Sequence, residues 1–172
     1  HKAGVQIVTG DTKVVEHGKG DKIFINTSGI GIVEEGVNIS PKNCIEGDVI
    51  ILNGSIADHG IAIMSAREGL SFETEIKSDT APLNGLIQSI LGASKNIHVM
   101  RDPTRGGVAS TLKEIALSAQ VGIEIDEKEI FIKEEVKGAC EILGFDPLYI
   151  ANEGKVLIFA AREDEEKILS VM

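Results

Sequence analysis

The chain has 172 residues, and 17 Lys and Arg stand against 27 Asp and Glu for a net charge of −10 at pH 7. A field of that sign repels a phosphate backbone or an anionic membrane surface and argues against nucleic-acid binding through a basic face. With five Phe, one Tyr and no Trp, there is little to stack on bases, and the core has to be aliphatic.

Two β-branched alternating runs come first, GVQIVTG (4–10) and DKIFINTSGIGIV (21–33), separated by a turn-like HGKGD (17–21). They read as two paired strands of a larger sheet. Residue 1 is His, and the strand-like run Val5 to Thr9 follows almost at once, so the chain reads as a piece of a longer protein. The segment 34–47, with Pro41 and scattered Gly and Asn, is the expected domain boundary, giving units 1–37 and 38–172.

From Asp48 the apolar run VIILNG leads through the loop SIADHG into a helical stretch, IAIMSAREG. Leu83, Leu86, Ile87, Ile90 and Leu91 share one face of a second helix, with Asn84 as its expected cap. IHVM (97–100) is a short buried strand that passes through RDPTRGG into a helix carrying Val108, Leu112, Ile115, Ala116 and Ala119 on one side. GIEID (122–126) alternates like a strand, and 133–143 is a helix stopped by Gly144. Asp146 and Pro147 then turn the chain. KVLIFAA (155–161) is a last, central strand, and 163–172 begins as a helix. Helices alternating with strands predict an α/β or α+β layer, with helices packed on a mixed sheet.

No stretch approaches the roughly 20 apolar residues of a membrane span, and the first ten residues lack the apolar core of a signal peptide. Cys44 and Cys140 are too few and too far apart for a disulfide framework and read as buried thiols in a reducing, cytoplasmic setting.

Four constellations carry chemistry. In GDTK (10–13), Gly10 allows a tight turn, so Asp11, Thr12 and Lys13 offer a carboxylate, a hydroxyl and an ammonium at one point; the same residues also suit a solvated hairpin turn. In ADHG (57–60), Asp58 suits a helix cap and His59 a proton donor or acceptor near pH 7, or a plain exposed His. MRDPTRGG (100–107) is the strongest signal. A strand delivers Arg101 and Asp102, Pro103 stiffens the turn, and Gly106 and Gly107 bring backbone amides to a helix start, which favours anions. The motif lacks the order of a Walker A loop. Two arginines beside a carboxylate suggest recognition of a metal-bound phosphate. In NEG (152–154), Glu153 stands at a strand edge, as a turn residue or as an acid–base group.

Taken in order, GDTKVV (10–15), DKIFINTSGIG (21–31), GDVIILNGSIADHGIAI (47–63), SDTAPLN (78–84), MRDPTRGGVASTLKEIA (100–116) and NEGK (152–155) resemble the hydrogenase maturation family HypE. That family belongs to the superfamily of aminoimidazole ribonucleotide synthetase, selenophosphate synthetase and thiamine monophosphate kinase. RDPTRGG together with ADHG and GDTK is specific to the HypE branch. The resemblance implies a PurM-like C-terminal domain over 38–172, preceded by remnant strands of an N-terminal ATP-binding domain that dimerises through its sheet.

It further implies an ATP-dependent carbamoyl dehydratase, which converts a carboxamide on its own C-terminal cysteine to a thiocyanate for the cyanide ligand of a [NiFe] hydrogenase. ATP and Mg²⁺ are the implied cofactors. The implied partners are the carbamoyltransferase HypF and the HypC–HypD complex. By motif matching, Asp11 and Asp102 would be metal or phosphate ligands, with Thr12, Thr104, Arg105 and Gly106 near the nucleotide. Lys13 and Glu153 would be proton-transfer groups at the carboxamide, and His59 would line the same cleft. The family's acidic segment upstream of GDTK and its terminal acceptor cysteine have no counterpart in these 172 residues, so this chain alone is expected to be inactive. The rival readings are another ATP-dependent enzyme of the superfamily, and a docking domain without catalysis.

Overall fold

In a computed structural model, residues 2–20, 22–69 and 74–172 are described. The chain divides between Val37 and Asn38 into two units. The first carries turns at 17–20 and 35–36 but, among its described residues, no helix or strand. The two runs expected to be strands are instead irregular chain, with Ile7 at 92%, Phe24 at 82% and Ile32 at 98% exposure. β-branched alternation favours an extended strand only where another strand and an apolar layer complete it. Asp21, the last residue of the expected turn, lies outside the described residues.

Among its described residues the second unit is built on three strands, β1 (Val49–Leu52), β2 (Ile97–Arg101) and β3 (Leu157–Ala160), in the order β1-β3-β2. Its helices are α1 (Asp58–Glu68), α2 (Asn84–Ala93), α3 (Gly107–Ala119), α4 (Glu134–Leu143) and α5 (Glu165–Leu169). The α+β architecture is as expected, but the sheet is not mixed: both pairings, β1 with β3 and β2 with β3, are antiparallel. GIEID (122–126) joins no strand; the segment lies across a groove from β1, unpaired among the described residues.

Helices cover both faces of the sheet, which is why VIIL and LIFA read as unbroken apolar runs. Leu157 and Phe159 of β3 pack with Val108, Leu112 and Ile115 of α3. Ile158 and Ala160 pack on the other face with Ile90 of α2 and Ile168 of α5. In β2 the register shifts between Ile97 and Val99. Strict alternation would put these two residues on one face; the bulge lets Ile97 join the α2 side and Val99 the α3 side. A third cluster, Ala57, Ile61, Val136, Ala139 and Cys140, holds α1 against α4. Both cysteines are free and buried, and burial pushes their thiols up, aided at Cys44 by Asp48 and at Cys140 by Asp146.

Helix ends follow local chemistry. α1 and α4 stop at Gly69 and Gly144, both left-handed. Asn84 is not the cap of α2 but its first residue, with Leu83 in the cap position. At the far end of α2, a buried network ties three elements together: the Asp164 carboxylate accepts from Ser94 Oγ at 2.7 Å and Asn96 Nδ2 at 2.9 Å, and pairs with Lys167. The Lys167 bond first, then those of Ser94 and Asn96, lower the Asp164 pKa to about 2. This lies below the unfolded value of about 3.9, so the network's stabilisation is complete above about pH 4 and drains away as the pH falls toward 2. Asp164→Asn is expected to abolish that part of the acid dependence. Denaturant midpoints measured from about pH 5 down to about pH 2 should then fall less steeply in the variant than in the parent; parallel curves would count against it.

Candidate active site

β1 and β2 end, and β3 begins, at the same edge of the sheet, because β3 runs antiparallel to both. Three connections therefore converge there: 53–57 leading into α1, 102–106 leading into α3, and 150–156 leading into β3. Five of the six second-unit candidates, Asp102, Thr104, Arg105, Gly106 and Glu153, sit on two of these connections, and His59 sits in the first turn of α1.

At the end of β2, Asp102 is bracketed by its neighbours. Arg101 Nη1 donates to its Oδ1 at 2.6 Å and Thr104 Oγ1 to its Oδ2 at 2.6 Å, while Arg101 Nη2 reaches Glu114 at 3.4 Å. Burial works against the Asp102 charge, but hydrogen bonds from Thr104, its own backbone amide and Arg101 outweigh it and hold the carboxyl below the usual range. Arg105 is exposed and, among the described residues, makes no hydrogen bond or ion pair. Gly106 occupies the cap of α3 in the left-handed region at φ 68°, and no side chain caps this 13-residue helix.

The glycines here serve a different purpose from ligand approach. A Cβ on Gly107 would lie 2.3 Å from the Leu148 carbonyl oxygen and 2.8 Å from that of Ile150. On Gly60 it would lie 2.3 Å from Ile150 Cγ2. Both glycines admit the passing backbone of 148–151 and so press the first turns of α1 and α3 against the segment that carries Glu153.

ADHG also differs from its expected geometry. Ala57, not Asp58, holds the cap position, in the left-handed region at φ 70°. Asp58 is 1% exposed, accepts from Ser55 Oγ at 2.6 Å and forms an ion pair with Lys133. The Asp58 hydrogen bond, with smaller help from the charges of Asp79 and Glu135, raises the Lys133 pKa against the effect of burial. His59 Nδ1 hydrogen-bonds Ser78 Oγ at 2.9 Å, and Ser78 in turn bonds Thr80 at 2.7 Å.

Glu153 is half-buried and has no ion pair among the described residues. Its neighbours are fixed. Asn152 is fully buried, with Oδ1 accepting from the Ala57 amide at 2.7 Å. The Gly154 carbonyl accepts from Asn53 Nδ2 at 3.0 Å, and Lys155 forms a buried ion pair with Asp79. The other oxygen of that carboxylate, Asp79 Oδ1, is buried without a partner among the described residues. Asn152, Asp79 and Lys155 are missed by sequence reasoning. The weak signal for Asn152 and Lys155 is a run of polar residues, NEGK, directly before a wholly apolar strand; Asp79 lies in the polar run SDT (78–80).

Asp11, Thr12 and Lys13 lie in the first unit and are exposed. The expected turn at GDTK is absent, and Asp11 Oδ1 accepts from the Thr12 amide at 2.8 Å. No group of three or more His, Cys, Asp or Glu among the described residues could hold a metal ion. Asp102 suits Mg²⁺ in a different manner, as one ionised carboxylate with spare lone pairs, since this ion commonly takes one or two protein carboxylates and otherwise phosphates and water.

Residues 46–172 match the family model of AIR synthase related protein, C-terminal domain. The chain is 51% identical over 171 residues to the carbamoyl dehydratase HypE of Azotobacter vinelandii, covering 99% of this chain and 50% of that protein. The chain belongs to the AIR synthase-related family, in its HypE branch. It spans about half the length of the HypE proteins it matches. A crystal structure of a HypE–HypF complex superposes with a TM-score of 0.77 at 52% identity, over 80% of this chain and 45% of that one. HypE in complex with ATP gives 0.74 at 42% identity, over 77% and 40%. The HypE-type loops RDPTRGG and NEGK thus meet at one sheet edge, tied together by a residue from the second of them. No helix among the described residues is long and apolar enough to cross a membrane.

Proposed function

We propose that this chain supplies the C-terminal part of the active site of an ATP-dependent carbamoyl dehydratase, acting in the cytoplasm in hydrogenase maturation. The observation that carries the reading is Asp102: a carboxylate kept ionised by Thr104 and Arg101, beside an exposed Arg105 and the uncapped start of α3. Residues 38–172 are the C-terminal α/β domain, and 1–37 belong to the N-terminal ATP-binding domain.

The reaction consumes one ATP. The carboxamide oxygen of a cysteine S-carboxamide attacks the γ-phosphorus and ADP leaves; the C–O bond then breaks, phosphate departs, and loss of both N–H protons leaves a thiocyanate. Mg²⁺, when bound, supplies charge neutralisation on the phosphates. Asp102 would hold that metal–phosphate unit, with Asp11 as the first unit's ligand to it, and Thr104, Arg105 and the amide of Gly106, with Thr12, would orient the phosphates. Glu153, uncommitted and half-buried, accepts an amide proton; Lys13 and His59 assist proton movement. The amide is tethered to the protein, which gives the step the advantage of proximity. The relatives solved with ATP and with HypF support ATP binding and HypF as a partner; HypC–HypD as further partners and a homodimer for the full-length protein belong to the same proposal.

The test uses the full-length protein, carbamoylated on its terminal cysteine and followed by the infrared nitrile band after ATP addition. Glu153→Gln is expected to slow band formation about 100-fold. Formation at the parent rate would remove Glu153 from the chemistry.

A further inference from the structure

A buried side-chain amide is costly unless each polar atom finds a partner. Asn152 is 0% exposed and fully engaged. Its Oδ1 accepts from the Ala57 amide at 2.7 Å, its Nδ2 donates to the Ile150 carbonyl at 2.9 Å and more weakly to that of Pro103 at 3.4 Å, and its backbone amide donates to the same Pro103 oxygen at 3.1 Å. Only an amide of this length offers an acceptor to one side and donors to the other. An aspartate would turn an oxygen toward two carbonyls, and an apolar residue would fill the space without orienting anything.

The three loops joined this way are those that carry the candidate groups. Ala57 stands two residues before His59, Pro103 lies between Asp102 and Thr104, and Asn152 directly precedes Glu153. The Gly60 amide repeats the tie by donating to the Ala151 carbonyl at 3.1 Å. On the other side of Glu153, Asn53 holds the Gly154 carbonyl and Asp79 holds Lys155. Glu153 is thus a free carboxylate on a backbone fixed at both flanks.

We infer that Asn152 is a positioning residue for proton transfer at Glu153, setting that carboxylate against the loops of Asp102 and His59; the inference rests on the role proposed above for Glu153. In the full-length protein, Asn152→Asp keeps the side chain's outline and its acceptor for Ala57 but loses the donors to Ile150 and Pro103. It is expected to lower kcat by about tenfold or more, because a small displacement of a reacting group is costly. KM for ATP should stay within about twofold, while the melting temperature falls, because a buried carboxylate oxygen then faces two carbonyls. Asn152→Ser, smaller and still polar, gives the same test should the aspartate variant not fold.

An unchanged kcat in a folded variant overturns the inference. So does a kcat that falls only together with ATP affinity, at a temperature where the variant is folded, which marks a purely structural role. Glu153→Gln, assayed in parallel, separates the two ideas. If it turns over at the parent rate, the acid–base reading fails; if it is slow while Asn152→Asp is unimpaired, the positioning role alone fails.

Discussion

Asp102→Ala in the full-length protein is expected to reduce ATP-dependent thiocyanate formation by about 1,000-fold, the scale of losing a fixed charge partner of a transferring phosphoryl group. The residue is suited to a clean test. Its side chain is 53% exposed, and its partners Arg101 and Thr104 both reach solvent, so removing it strands no buried group. The fold should therefore survive, with a melting temperature close to that of the parent. A domain that only docks maturation partners would keep its function in this variant, and preserved turnover would favour that reading. Partner binding measured on the same preparation completes the comparison: catalysis should disappear while docking persists.

Gly107→Ala is expected to act in the opposite sense, through the fold. The new methyl group would collide with the Leu148 carbonyl oxygen at 2.3 Å and the Tyr149 carbonyl carbon at 2.7 Å, at a φ of 67° that alanine disfavours. Backbone strain of about 1–3 kcal/mol adds to an overpacking cost of about 1–3 kcal/mol. For a chain of this size the sum corresponds to a Tm lower by roughly 10 °C, readable by calorimetry. Gly138→Ala is the control. Its Cβ would enter open space within α4, so it is expected to be neutral or to stabilise by about 0.5–1 kcal/mol. Equal effects of the two substitutions would show that the close approach at Gly107 is not what holds the loops.

The strands and helices of the second unit were legible wherever a local pattern decided them. VIIL, LIFA and IHVM are apolar on both faces because helices cover both, and Gly69 and Gly144 stop helices by their own conformation. What local pattern could not convey was the presence of a partner. GIEID alternates as well as any strand, yet no chain pairs with it among the described residues, and 4–10 and 22–33 lack partners in the same way. The site divides along the same line. The Asp102 bracket lies within four residues, Arg101 to Thr104, and could be read from RDPTR. Asp58 looked like a cap because its true partner, Lys133, is distant in sequence. Asn152 went unremarked beside Glu153 because the groups it satisfies, Ala57 and Pro103, lie on two other loops.

The middle strand of the sheet is the last of the three to leave the ribosome. β1 and β2 pair with β3 alone among the described residues, so for more than a hundred residues of synthesis, from Val49 to Leu157, the first strand waits with both edges open. Such long-range closure is slow, and unpaired apolar edges invite association with other chains. Nascent chains should therefore depend on chaperones until about residue 160 has emerged. The same insertion brings Asn152 and Glu153 into place, so the edge that carries the candidate site is completed in the step that closes the sheet.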